Sequence, residues 1–172
     1  MPMYLYLGDI TRMETDAIVN AAGTDLRRCP GICDAIFAAA DTEELERACR
    51  KLGRCRIGQA VATPGCGLPC RYIIHVAGPG WYGGEPRERF LLAGCYQNAL
   101  HKAYLCSCRR VAVPLIFSGD CHMPRAASLR VAGAAIADFC QRHPSMEVTL
   151  VLYRQSIYDM AKRILCWEDA PS

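Results

Sequence analysis

The pattern best suited to chemistry lies in residues 19–41, VNAAGTDLRRCPGICDAIFAAAD. A β-branched apolar run ends at Asn20, a turn-rich segment follows, and Cys33 opens an Ala-rich stretch that reads as a helix. A strand, a loop and a helix in that order, with Gly31 just before the helix, make an anion site. The first amides of a helix have no internal acceptor, and the helix dipole adds partial positive charge there. A second loop of similar character, Phe117-Ser118-Gly119-Asp120-Cys121-His122-Met123, follows another apolar run. Gly8-Asp9-Ile10-Thr11 and Tyr153 close two further runs and add a carboxylate and an aromatic face.

These loops need a scaffold, and the composition supplies one. The chain has 172 residues, 52% apolar and 22% charged, enough to bury a substantial core and wrong for disorder. It reads as a single domain over 1–172, with its core in about 3–165. No apolar run reaches the 18 or so residues of a membrane span, and no secretory pattern opens the chain, so a cytoplasmic location and no membrane partner are expected. Net charge is only +3, and all 20 basic residues except Lys51, Lys102 and Lys162 are Arg. An Arg bias suits phosphate contact, but no aromatic-interleaved basic patch is visible, so nucleic acid is not an expected partner. The 12 cysteines read as reduced, mostly buried small apolar groups. None of the near pairs Cys29/Cys33, Cys66/Cys70 and Cys106/Cys108 has the spacing of a structural zinc site.

Taken in order, strands are expected at 3–7, 16–20, 60–63, 71–76, 111–116 and 147–153. Helices are expected at 33–40, at 42–53 with Thr42 as a possible cap, and at 87–105, 124–140 and 156–166; the tail beyond reads as loose. The alternation predicts a three-layer α/β/α sandwich around a central mixed, mostly parallel sheet. Ligands of such sheets bind in the crevice beyond the carboxyl ends of the strands. Residues 8–11, 20–33, 117–123 and Tyr153 all fall there, a plausible pocket for a nucleotide diphosphate. His75, inside an apolar strand, reads as a packed core residue.

Four strings carry a resemblance: GDIT at 8–11, DAIVNAA at 16–22, IIHVAGP at 73–79 and the strand–Pro–x–Ile–x–Ser–Gly loop at 113–119. In this order and at these separations the chain resembles the macrodomain family from about residue 3 to 165. The resemblance implies a macrodomain fold and a pocket for ADP-ribose. It implies that Asp9 accepts the adenine amino group, that Ile10 offers an amide beside it, and that Tyr153 stacks on adenine. Gly31, Ile32 and Cys33 would give amides to one phosphate, with Asn20 close by. Phe117, Ser118, Gly119, Asp120 and Cys121 would wrap the other.

The chain departs from the hydrolytic MacroD-type pattern, roughly N-A-A-N-x-x-L-x-x-G-G-G-V-D-G-A-I-H. The second Asn is Gly23 here, the Asp is Cys33 and the His is Phe37, while Cys29 and Pro30 replace two glycines. In the second loop Cys121 stands for the aromatic beside the distal ribose and Ser118 for the Thr. Hydrolysis needs a group that orients or deprotonates water near that ribose. Cys33, Asp34, Asp120 and His122 are the catalytic candidates left. Zinc-dependent macrodomains place Cys and His ligands around the same loop, but theirs is longer and has a His missing here, so no metal or cofactor is expected. The expected function is binding of ADP-ribose or an ADP-ribosylated macromolecule, with hydrolysis weak or absent. The alternative is an ADP-ribosyl hydrolase, removing mono-ADP-ribose or the acetyl group of O-acetyl-ADP-ribose with a non-standard catalytic group.

Overall fold

The runs that alternate short and bulky apolar residues become strands because they can be covered on both faces. In the computed structural model, which describes residues 2–78, 86–116 and 123–172, the strands are β1 (Met3–Leu7), β2 (Thr15–Ala22), β3 (Ala60–Pro64), β4 (Cys70–Ala77), β5 (Arg110–Pro114), β6 (Glu147–Leu152) and the short, exposed β7 (Glu168–Asp169). The helices are α1 (Ile32–Ala39), α2 (Thr42–Leu52), α3 (Pro86–Leu105), α4 (Arg125–Arg142) and α5 (Gln155–Leu165). The strands form one sheet in the order β3-β4-β2-β5-β6-β1-β7. Every pairing is parallel except β3 with β4. This is the expected mixed, mostly parallel sandwich.

Alternate residues of each strand serve opposite layers. Ala17 and Val19 of β2, with Ile74 and Val76 of β4, join the core beneath α3, α4 and α5. Ile18 and Ile73 face the other way, toward Ile36 and Phe37 of α1 and Leu45 of α2. Seven of the eleven described cysteines are buried, and Cys95, Cys108 and Cys140 pack in one of these layers as small apolar side chains. Asp16 ties the sheet near the start of β5, its Oδ2 accepting from the Arg109 and Arg110 amides at 2.9 and 3.0 Å.

Three local expectations need correction. The strand expected through residue 116 stops at Pro114, which has no N–H to donate, and the Ile116 amide donates instead to the buried Tyr96 hydroxyl at 2.8 Å. Asp41, not Thr42, caps α2, accepting from the Glu44 amide at 3.1 Å, while Thr42 donates to the Phe37 carbonyl at 2.7 Å. The tail is not loose. Glu168 and Asp169 add an edge strand beside Tyr4 and Leu5, the Ala170 amide donates to the Leu5 carbonyl at 2.9 Å, and Tyr158 and Lys162 hold the Asp169 carboxylate. A two-residue strand is too short to leave a periodic signal.

Candidate functional site

The carboxyl ends of β1, β6, β5 and β2 lie side by side in the sheet, and a cavity of about 700 Å³ opens above them. Three strand spacings separate β1 from β2, so the cavity crosses about 14 Å of sheet edge. Its wall takes Gly8, Asp9 and Ile10 from beyond β1, and Tyr153 and Arg154 from beyond β6. Pro114 and Leu115 come from the end of β5, and Gly23, Cys29, Pro30, Gly31 and Ile32 from the loop between β2 and α1.

On the β1–β6 side the Gly8 amide donates to the Leu152 carbonyl at 2.9 Å, continuing the ladder into the turn. Asp9 then caps a 3₁₀ turn, Ile10–Arg12. Its Oδ1 accepts from the Thr11 amide at 2.9 Å and the Thr11 hydroxyl at 2.7 Å. Oδ2 makes no hydrogen bond among the described residues, so the carboxylate both holds the turn and keeps an acceptor to spare. Ile10 is buried, which fixes the turn against the core. Tyr153 is 81% exposed, an unusual setting for a large aromatic on the rim of a cavity.

On the β2 side Leu26 plugs the loop into the core with a left-handed φ of 58°, and its amide donates to the Gly23 carbonyl at 3.1 Å. Gly31 has φ 89°, and a Cβ there would meet nothing within 4 Å. A side chain at this cavity-wall position would be strained without clashing. The Ala35 amide donates to the Gly31 carbonyl at 3.2 Å. The amides of Ile32, Cys33 and Asp34 in the first turn of α1 therefore have no acceptor within the helix.

Some expected site residues do not stand on the cavity wall. Asn20 is fully buried, and its Nδ2 donates to His75 Nδ1 at 3.0 Å and to Cys33 Sγ at 3.7 Å. The Cys33 side chain is turned into the core, where it donates to the Arg27 carbonyl at 3.8 Å, so this residue can offer a ligand only its amide. Asp34 lies on the surface, its Oδ1 held 2.6 Å from Arg28 Nε. The one-residue step along a helix start turns it away from the cavity, by about 100°. Phe117, Ser118, Gly119, Asp120, Cys121 and His122 lie outside the described residues.

Cys29 and Arg154 stand on the wall although sequence reasoning gave neither a role. Cys29 lies inside the 20–33 segment expected at the crevice and Arg154 directly follows Tyr153, and that placement was the available signal. Burial, with the hydrogen bond to Cys33 beside it, pushes the Cys29 thiol up to about 12. It is protonated at neutral pH. Asp9 and Arg154 are the charged side chains of the described wall. Beneath the β2 side His75 Nε2 pairs with Thr63 Oγ1 at 2.9 Å, and burial lowers the imidazole to about 4, keeping it neutral. Among the described residues, no three His, Cys, Asp or Glu side chains converge as metal ligands.

A model of the Macro domain matches residues 19–132. This chain belongs to the macrodomain family. A macro domain-containing protein of Mesorhizobium japonicum is 43% identical over 133 residues, 77% of this chain and 75% of that protein. A protein of Escherichia fergusonii named O-acetyl-ADP-ribose deacetylase is 38% identical over 168 residues, 95% and 94% of the two chains. Among solved structures, the Oceanobacillus iheyensis macrodomain with ADP superposes with a TM-score of 0.88 at 31% identity, covering 94% of this chain and 88% of that one. The mixed, mostly parallel sheet with the crevice above its carboxyl edge is the macrodomain architecture expected from the sequence, with β7 as an added edge strand.

Proposed function

We propose that this macrodomain binds ADP-ribose, free or carried on a macromolecule, and hydrolyses it weakly or not at all. The observation that carries the reading is the pairing of unlike groups across one cavity. Asp9 with a spare carboxylate oxygen and the exposed ring of Tyr153 stand on one side, and the unbonded first-turn amides of α1 behind Gly31 on the other. The first side suits adenine, which offers an amino donor and a flat face. The second suits a phosphate, which neutral amides can hold without a buried counter-charge. ADP-ribose bridging the two would leave its distal ribose beside Gly23 and Cys29. The E. fergusonii and O. iheyensis proteins, whose names carry O-acetyl-ADP-ribose and ADP, are similar over nearly the whole chain and support the ligand class.

The described part of the same wall supports weak hydrolysis. Asp9 is its one carboxylate among the described residues, and it belongs to the adenine side. Cys29, with its thiol held at about 12, is a poor base for water. Likeness to the named deacetylase favours a second reading, removal of the acetyl group from O-acetyl-ADP-ribose. Calorimetry with ADP-ribose tests binding, and saturable heat at micromolar ligand is the expected outcome. Incubation with O-acetyl-ADP-ribose and with mono-ADP-ribosylated protein tests the rest. Steady turnover that one substitution among Cys33→Ala, Asp34→Ala and Asp120→Ala abolishes would establish the enzyme instead.

A further inference from the structure

We propose that the cavity favours ligands bearing an extra phosphate on the adenosine ribose, and that Arg154 is the residue that reads it. The proposal rests on the ADP-ribose reading and names a narrower ligand class for the same site.

Arg154 is exposed, lines the cavity, and makes no hydrogen bond or ion pair through its side chain among the described residues. Elsewhere on the described surface Arg28, Arg71, Arg110 and Arg142 face a carboxylate within 4 Å while Arg47, Arg50 and Arg54 do not, so what sets Arg154 apart is its place on the cavity wall. Asp9 shares the cavity wall with Arg154, but the two do not pair. A free guanidinium in a concave site is a strong candidate for an anion in the ligand, because its planar fork matches a phosphate with two parallel hydrogen bonds.

Position decides which anion. Arg154 directly follows Tyr153 at the end of β6, two strands from β2 in the sheet, or about 10 Å from the loop that feeds α1. The diphosphate is served on that far side by neutral amides. Arg154 belongs to the adenine side, where ADP-ribose itself has no charge to offer. A phosphate monoester on the 2′ or 3′ oxygen of the adenosine ribose would supply one. The guanidinium would also offset the repulsion of that dianion by Asp9 across the wall.

Calorimetry with AMP, adenosine 2′,5′-bisphosphate, adenosine 3′,5′-bisphosphate and ADP-ribose tests this on the intact protein. One of the two bisphosphates should bind about ten-fold tighter than AMP, the worth of one charge-assisted pair. In Arg154→Gln that advantage should shrink below two-fold, and Arg154→Lys should restore part of it. Equal affinity for AMP and both bisphosphates, or an advantage that survives Arg154→Gln, overturns the proposal. ADP-ribose binding without any bisphosphate advantage overturns it alone and leaves the broader reading standing. If ADP-ribose fails to bind, the broader reading falls and this one with it.

Discussion

The two sides of the cavity are built from the same element type, a loop leaving the carboxyl end of a parallel strand, yet they differ in chemistry. Beyond β1 and β6 the wall presents a carboxylate, a guanidinium and an exposed aromatic ring. Beyond β2 it presents glycines, a proline and a protonated thiol, with Asn20, Cys33 and His75 sealed beneath. One side keeps groups that recognise a ligand in its ground state. The other keeps backbone amides, and among its described residues no side chain is placed to move a proton. On the proposed reading binding and turnover would draw on different walls, so one could persist where the other fades.

The sharpest way to break the comparison is Gly31→Val. At φ 89° a β-branched residue is strained, and its methyls would enter the cavity where phosphate is expected. Affinity for ADP-ribose should fall by about 2–3 kcal/mol, or roughly 30–150-fold, by calorimetry. Next is Cys33→Asp, which returns the family's carboxylate to the sequence but places it in the core beside Asn20. Urea denaturation should show a loss of about 2–4 kcal/mol. An unchanged midpoint would mean that this side chain reaches the cavity after all.

Acid should expose the floor of the β2 side. His75 is neutral in the fold, with its pKa near 4, while in the unfolded chain it protonates near 6.5. The unfolded state therefore binds more protons between those values, and stability should fall as pH drops from about 6.5 to about 4. The loss is on the order of 3 kcal/mol at most, and His75→Gln should flatten the slope in that window.

The recognition side gives smaller steps. Tyr153→Ala should cost about 1–3 kcal/mol of ADP-ribose binding if adenine stacks there. Asp9→Ala should cost a similar amount, since it orphans a charge-assisted bond. Asp9→Ala should also lower the melting temperature, because the same carboxylate caps the 3₁₀ turn. Smallest of all is Asp34→Ala, which breaks an exposed pair with Arg28. Stability should change by less than about 1 kcal/mol, with affinity within two-fold.

The fold was legible because both-face burial writes long apolar runs into the strands, and β2, β4 and β6 were found within a residue or two of their ends. The turns that wall the cavity were legible for a related reason: Asp9 and Tyr153 sit where such runs stop, and Gly31 where a helix starts. Side-chain direction was not. Cys33 occupies the family's carboxylate position, yet it points inward because Leu26 anchors the loop and Asn20 offers it a buried donor. Asp34 points outward to Arg28 for the converse reason. Arg154 carried no pattern, and its place on the cavity wall emerges only once β6 ends beside it.

The most direct test is a titration of the intact protein with ADP-ribose, with Asp9→Ala and Tyr153→Ala in parallel. The expected result is saturable binding at micromolar ligand, weakened by each substitution. No heat at high micromolar ligand, or an affinity that both substitutions leave unchanged, would contradict it.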